Sequence, residues 1–273
     1  MSDAPAIGDT RRAAPRTLLV IGIGAGDPRH MTVAAIEALN SADVVLIPHK
    51  GPQKDDLAEL RRAICRRFLT NPATRLVGFD LPVRDAAAPY RAAVDRWHDD
   101  IAACWQTVIG REAAPGARIA LLVWGDPSLY DSTLRIVARL VAGGMGLETV
   151  VVPGITAIQA LTAAHGIALN TIGGAVVITT GRRLRAEGFP PAADTAVVML
   201  DAGMAFEGLD PDGFDIWWGA YLGTGDEILI AGPLGAVTER IRTARAAARA
   251  AKGWIMDTCL IRRRGAGDRS GPV

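Results

Sequence analysis

Two stretches of the chain close an apolar run with Gly-Asp-Pro: IGIGAGDP at 21–28 and VWGDPSLY at 123–130. Glycine removes the side chain where a ligand must come close, and proline fixes the turn. Asp126 then offers a carboxylate just beyond the carboxyl edge of a strand, where open α/β sheets bind ligands; it equally suits a cap for the next helix. The first turn resembles a dinucleotide fingerprint, yet the third glycine of GxGxxG falls on Asp27, whose charge repels a pyrophosphate, and His49 and Lys50 stand where a ribose-binding acid belongs. There is no GxxxxGK[ST] phosphate loop and no GxSxG nucleophile elbow. His30 and His49 follow apolar runs and are better placed for chemistry than His98 or His165, and the four lack metal-ligand spacing. Pro153-Gly154 precedes a helix opening at Thr156, whose hydroxyl either caps that helix or meets a ligand at its positive end. Arg182, Arg183 and Arg185 follow a strand in an expected loop, where cations suit an acidic substrate. Arg61, Arg62, Arg66 and Arg67 read as the solvated face of a helix.

The elements that position these residues are legible from periodicity. The continuous apolar run at 17–24 predicts a strand buried on both faces of a parallel sheet, and 43–48, 74–82, 117–124 and 147–153 read as further strands with helical patterns between them. Five strands alternating with helices imply a doubly wound α/β domain. After Pro153 the pattern changes: one helix ends at Gly166, then AVVITT, TAVVMLD, DIWWGAYL, EILIAG and WIMDTCLIRR read as strands of a mixed sheet with few helices. The expected organisation is a tail at 1–16, an N-terminal α/β domain at 17–153, a C-terminal α/β domain at 154–265 and a second tail at 266–273.

Composition narrows the function classes. Of 273 residues, 49% are hydrophobic and 22% charged, ample for packed cores, and the net charge of +1 announces no nucleic-acid-binding surface. Cys65, Cys104 and Cys259 are odd in number and widely separated, which suggests neither a disulfide framework nor a metal site and fits a reducing cytoplasm. No apolar run reaches the roughly 18 residues of a membrane span. A soluble, metal-free protein is expected.

In order, IGIGAGDP, WGDPSLY, PGITAIQALTAAHGIAL, VVITTGR, TAVVMLDAG and YLGTGDEILIAGPLG resemble the motifs of the tetrapyrrole methylase family over nearly the whole chain. The resemblance implies a class III methyltransferase fold of two unlike α/β domains, the first with strand order 3-2-4-1-5. It also implies S-adenosylmethionine in the cleft between them, S-adenosylhomocysteine as its product, and a homodimer. By match to the family's cofactor motifs, Ala25, Trp124, Gly125, Asp126, Leu129, Thr156 and Ala157 line the cofactor site, and Leu200, Asp201 and Gly223 complete it. LDAG stands where the family often has an aromatic-Met pair, and WGDP where it often has Gly-Gly-Asp-Pro.

Through the segment DLPVRDAAAPYRAAVDRWHDDIA, with Arg84, Asp85, Tyr90, Trp97 and His98, the chain most resembles a member of that family acting in cobalamin biosynthesis, and this resemblance implies methylation of ring carbon 1 of precorrin-5 with loss of the attached acetyl group as acetate. A sulfonium donor is reactive, so methylation needs alignment and exclusion of water. Deacetylation needs a base for water and a donor to the acetyl oxygen. Asp126, Tyr130, Asp27 and His30 are the candidates: Asp126 for positioning, His30 or Asp27 as base, Tyr130 as donor. The many carboxylates of such a macrocycle suit Lys50, Arg84, Arg182 and Arg183. Competing readings are a methylase of the same fold acting on another substrate, a nicotinamide oxidoreductase, and a non-catalytic tetrapyrrole-binding protein. The expected partner is a small tetrapyrrole, with no nucleic acid or membrane.

Overall fold

The computed structural model describes residues 14–49, 55–83 and 90–265. Lys50, Arg84, most of the expected N-terminal tail and all of the C-terminal one lie outside them. Arg16, placed in the tail by sequence, instead opens the first strand, and its Nε donates to the Ala113 carbonyl at 2.8 Å.

The chain packs as two compact units. One takes residues up to Gly22, Thr32–Val123 and Pro127–Pro153; the other takes Ile23–Met31, Trp124–Asp126 and residues from Gly154 onward.

The first unit is a parallel sheet of β1 (Arg16–Gly22), β2 (Val44–His49), β3 (Arg75–Asp80), β4 (Arg118–Val123) and β5 (Leu147–Val152). Its order is β3-β2-β4-β1-β5, as the resemblance implies. Four helices make the crossovers that parallel neighbours require: α1 (Val33–Asn40), α2 (Asp55–Phe68), α3 (Tyr90–Glu112) and α4 (Thr133–Ala142). Leu18, Val20, Leu46, Ile119 and Leu121 pack with Ile101, Trp105 and Ile109 of α3 and Ile136 and Leu140 of α4. Leu19, Ile21 and Val45, pointing the other way, are also fully buried, which explains unbroken apolar runs in place of alternation.

In the second unit a sheet of order β6-β7-β10-β8-β9 is built from β6 (Val176–Thr180), β7 (Thr195–Met199), β8 (Phe214–Ala220), β9 (Ile228–Pro233) and β10 (Asp257–Arg263). Only β6 and β7 are parallel. Its helices are α5 (Ala157–His165), α6 (Gly181–Glu187) and α7 (Leu234–Lys252). Leu184 of α6 and Leu234, Val237 and Ile241 of α7 join Val198, Ile216, Trp218 and Ile261 in one core.

Helix α6 corrects the sequence reading. Arg182, Arg183 and Arg185 stand on a helix and not in a loop, because the Thr180 hydroxyl caps it and Gly188, at φ 73°, ends it. Arg61 is a second correction: it is buried and donates from Nε to the Leu122 carbonyl at 2.8 Å, on the inward face of α2 with Ala58, Ile64 and Cys65. Burial lowers its pKa to about 10.

Candidate active site

Strands β1 and β4 are direct neighbours, so their terminal turns leave the sheet side by side. Gly24 and Gly125 then join those turns in an antiparallel bridge. The Gly125 amide donates to the Gly24 carbonyl at 2.8 Å, and the Gly24 amide to the Gly125 carbonyl at 3.3 Å. Both are left-handed, with φ of 86° and 67°, which any other residue adopts only with strain.

Asp126 turns its carboxylate back to the chain leaving β5, where Oδ2 accepts from the Gly154 amide at 2.8 Å. It does not cap the next helix, α4, whose cap position is Ser132; it ties the second Gly-Asp-Pro turn to the Pro-Gly entry of α5. That helix opens on a capping box: Thr156 accepts from the Ile158 amide at 3.1 Å, and Gln159 receives both the Thr156 amide and its hydroxyl. A Cβ on Gly125 would meet nothing nearer than the Thr156 Cα at 3.9 Å, so this glycine leaves open space beside the helix start.

The first turn interlocks with the one at 221–224. A Cβ on Gly26 would lie 2.5 Å from the Leu222 carbonyl oxygen, and one on Gly223 would lie 2.8 Å from the Asp27 nitrogen and 3.0 Å from His30 Cε1. Tyr221 is left-handed at φ 50° and is anchored by its hydroxyl, which donates to the Trp254 carbonyl at 2.6 Å. Glu227 accepts the Gly223 amide at 2.7 Å.

Asp27 caps the short 3₁₀ turn Pro28–His30. Its Oδ1 accepts from the Arg29 amide at 2.7 Å, while Oδ2 takes Arg29 Nε at 2.8 Å and Nη2 at 2.6 Å. The Arg29 guanidinium holds this carboxyl below the usual carboxylate range, which makes it a weaker base. The Nδ1 of His30 is buried with no hydrogen-bond partner, as is the indole Nε1 of Trp124. A buried donor or acceptor left unmet costs about 1–3 kcal/mol, and two such atoms lie at the paired turns.

Thus Ala25, Trp124, Gly125, Asp126, Thr156, Ala157 and Gly223 come together with Asp27 and His30. Leu129 and Tyr130 belong to the first unit, Tyr130 left-handed at φ 49° and 42% exposed. Leu200, at φ 52° and 65% exposed, ends β7 on an outward corner. The Asp201 carboxylate accepts the Gly203 and Ala205 amides at 3.0 and 2.6 Å, so this side chain shapes its own loop. Arg183 pairs with Glu187 along α6 at 2.8 Å. His49 contacts Arg62 at 3.1 Å, and His165 meets the Trp218 carbonyl at 3.1 Å. Among the described residues no group of three or more His, Cys, Asp or Glu side chains can hold a metal, and no helix is long and apolar enough to cross a membrane.

Sequence reasoning missed the Gly26–Gly223 interlock and a buried pair of Arg245 and Asp257 beneath the 200–205 loop. The second had a signal: Leu234, Val237, Ile241 and Arg245 share one helical face, and all four are buried.

Glycine turns paired at the ends of adjacent parallel strands, with a mixed-sheet unit following, define a class III methyltransferase fold. The family model of the tetrapyrrole (corrin/porphyrin) methylases matches residues 17–238, and the chain belongs to that family. It is 51% identical to a precorrin-6A synthase [deacetylating] of Sinorhizobium sp over 253 residues, 92% of this chain and 97% of that one. It is 37% identical to a cobalamin synthesis related protein (CobF) from Corynebacterium diphtheriae of known crystal structure, with a TM-score of 0.79 over 91% of this chain and 99% of that one. The uroporphyrin-III C-methyl transferase from Thermus thermophilus, crystallised with S-adenosylhomocysteine, shares the fold at 19% identity, with a TM-score of 0.55 over 94% of this chain and 97% of that one.

Proposed function

We propose that the protein is an S-adenosylmethionine-dependent C-methyltransferase that converts precorrin-5 to precorrin-6A in cobalamin biosynthesis, methylating ring carbon 1 and releasing the acetyl group as acetate. The observation that carries this reading is the 51% identity with a deacetylating precorrin-6A synthase across 97% of that enzyme.

The residues fit the cofactor. Open space beside Gly125 at the start of α5 and the partnerless Trp124 Nε1 support a ligand here. Ala25, Trp124, Gly125, Asp126, Leu129, Thr156, Ala157, Leu200, Asp201 and Gly223 would hold it. Bound there, the sulfonium supplies an electrophilic methyl group. Asp126, fixed by Gly154, holds the second turn and α5 in one arrangement, so alignment is set before substrate arrives.

For acetyl removal the surroundings favour His30 over Asp27 as the base, since Arg29 occupies both Asp27 oxygens. Tyr130 donates to the acetyl oxygen, and Lys50, Arg84, Arg182 and Arg183 meet substrate carboxylates. The first Gly-Asp-Pro turn is then nearer the substrate and the second nearer the methyl donor. We read 17–153 and 154–265 as the functional domains of a cytoplasmic homodimer.

The test is turnover of precorrin-5 with labelled S-adenosylmethionine, followed by mass spectrometry. One added methyl, loss of the acetyl group and stoichiometric free acetate are expected. Methylation without acetate would assign a different precorrin methylase, and binding without methyl transfer a carrier.

A further inference from the structure

Helix α7 is rich in alanine and arginine, yet one of its arginines faces inward. Arg245 is 8% exposed, and its Nε donates to Asp257 Oδ2 at 2.9 Å. The same oxygen accepts Trp218 Nε1 at 3.0 Å. An ion pair in such a core is a poor source of stability, because well-packed apolar residues of similar volume serve as well or better. Its geometry gives it another use: Arg245 Nη2 donates to the backbone carbonyl of Asp201 at 2.7 Å.

That carbonyl lies one residue beyond Leu200, which holds the left-handed conformation at φ 52° with no glycine to ease it. A non-glycine residue there persists only when its surroundings over-determine it. The loop is fastened at other points too. Asp201 receives the Gly203 and Ala205 amides, and Gly181 leaves room for its carboxylate, since a Cβ there would lie 2.2 Å from Asp201 Oδ1. Only the Arg245 bond reaches the loop from the buried pair, and it grips the Asp201–Ala202 peptide, one unit beyond the corner at Leu200.

We infer that Arg245 and Asp257 are positioning residues that clamp the Asp201 carbonyl and so hold the left-handed Leu200 corner in the conformation that receives the methyl donor. Neither residue touches the donor itself. The inference rests on the reading above that Leu200 and Asp201 contact the cofactor.

The test measures S-adenosylhomocysteine binding by calorimetry on the full-length protein. Removing Arg245 alone strands a buried carboxylate, so the informative variant replaces both partners, R245M with D257N, which removes both charges and keeps an amide oxygen to accept the Trp218 indole. The expected result is a tenfold or greater rise in Kd, and a matching rise in KM for S-adenosylmethionine, with kcat within a few-fold and a Tm close to that of the parent. Adding Leu200→Asn should recover most of the affinity, because asparagine enters the left-handed region far more readily than leucine; a purely structural role would show no such rescue. A folded double variant with parental Kd, or a loss that Leu200→Asn leaves in place, overturns the clamp. Leu200→Asp in the parent separates the two ideas. If it leaves Kd unchanged, the corner does not meet the cofactor and both readings fall. If it weakens binding while the double variant does not, only the clamp falls.

Discussion

Asp27 and His30 stand three residues apart, and their surroundings send them in opposite directions. Asp27 is saturated by Arg29 and held ionised, whereas His30 keeps an unmet ring nitrogen. His30→Gln is therefore expected to cut acetate release by about 10²–10⁴-fold, the usual range for losing a general base, and Asp27→Asn to cost less than about tenfold. Acetate quantified in single turnovers checks both; equal losses would remove the distinction. At this scale the sequence was only partly legible. Arg29 is adjacent in sequence, but its grip on both Asp27 oxygens depends on the 3₁₀ turn at Pro28. The inward Arg245 leaves a trace in its spacing from Val237 and Ile241 along one helical face.

The central strands β1, β2 and β4 were the most legible elements, because strands buried in a parallel sheet leave continuous apolar runs, whereas the edge strands β3 and β5 are largely exposed and carry polar residues. Helix α6 was hidden by its brevity: seven residues with no apolar repeat, whose cap Thr180 is also the last residue of β6. Turn-to-turn packing left a weaker trace, since glycine spacing does not name the partner. Gly26→Ala should cost about 1–3 kcal/mol, both for φ 140° and for the contact with the Leu222 carbonyl; calorimetric unfolding reads this directly, and an unchanged Tm would contradict the interlock. Between α3 and α4, His98 is buried, with Nε2 2.9 Å from the Ser132 hydroxyl, and burial lowers its pKa from 6.5. Its folded pKa is depressed, so the unfolded chain binds the extra proton first as pH drops. Stability contributed by neutral His98 is complete above 6.5 and declines as pH falls from there through the lower folded value. His98→Gln should flatten the Tm profile over that interval; a profile identical to the parent's would show that this histidine does not set it.

For the molecule as a whole, the order of the motifs was more telling than any one of them, since six weak matches in a fixed sequence specify a family that a glycine turn alone cannot. What the order could not convey is which contacts are made by side chains and which by backbone. The Gly24–Gly125 bridge is of the second kind, and its effect extends beyond geometry. Two amides paired reciprocally are expected to open as one cooperative unit, so that opening either turn opens both. Gly24 and Gly125 should share a single protection factor in hydrogen exchange, and S-adenosylhomocysteine should raise both by the same factor. Independent exchange rates would show two separate lips. A common rate would make the pair one cooperative unit, through which occupancy at either turn changes the opening free energy of the other.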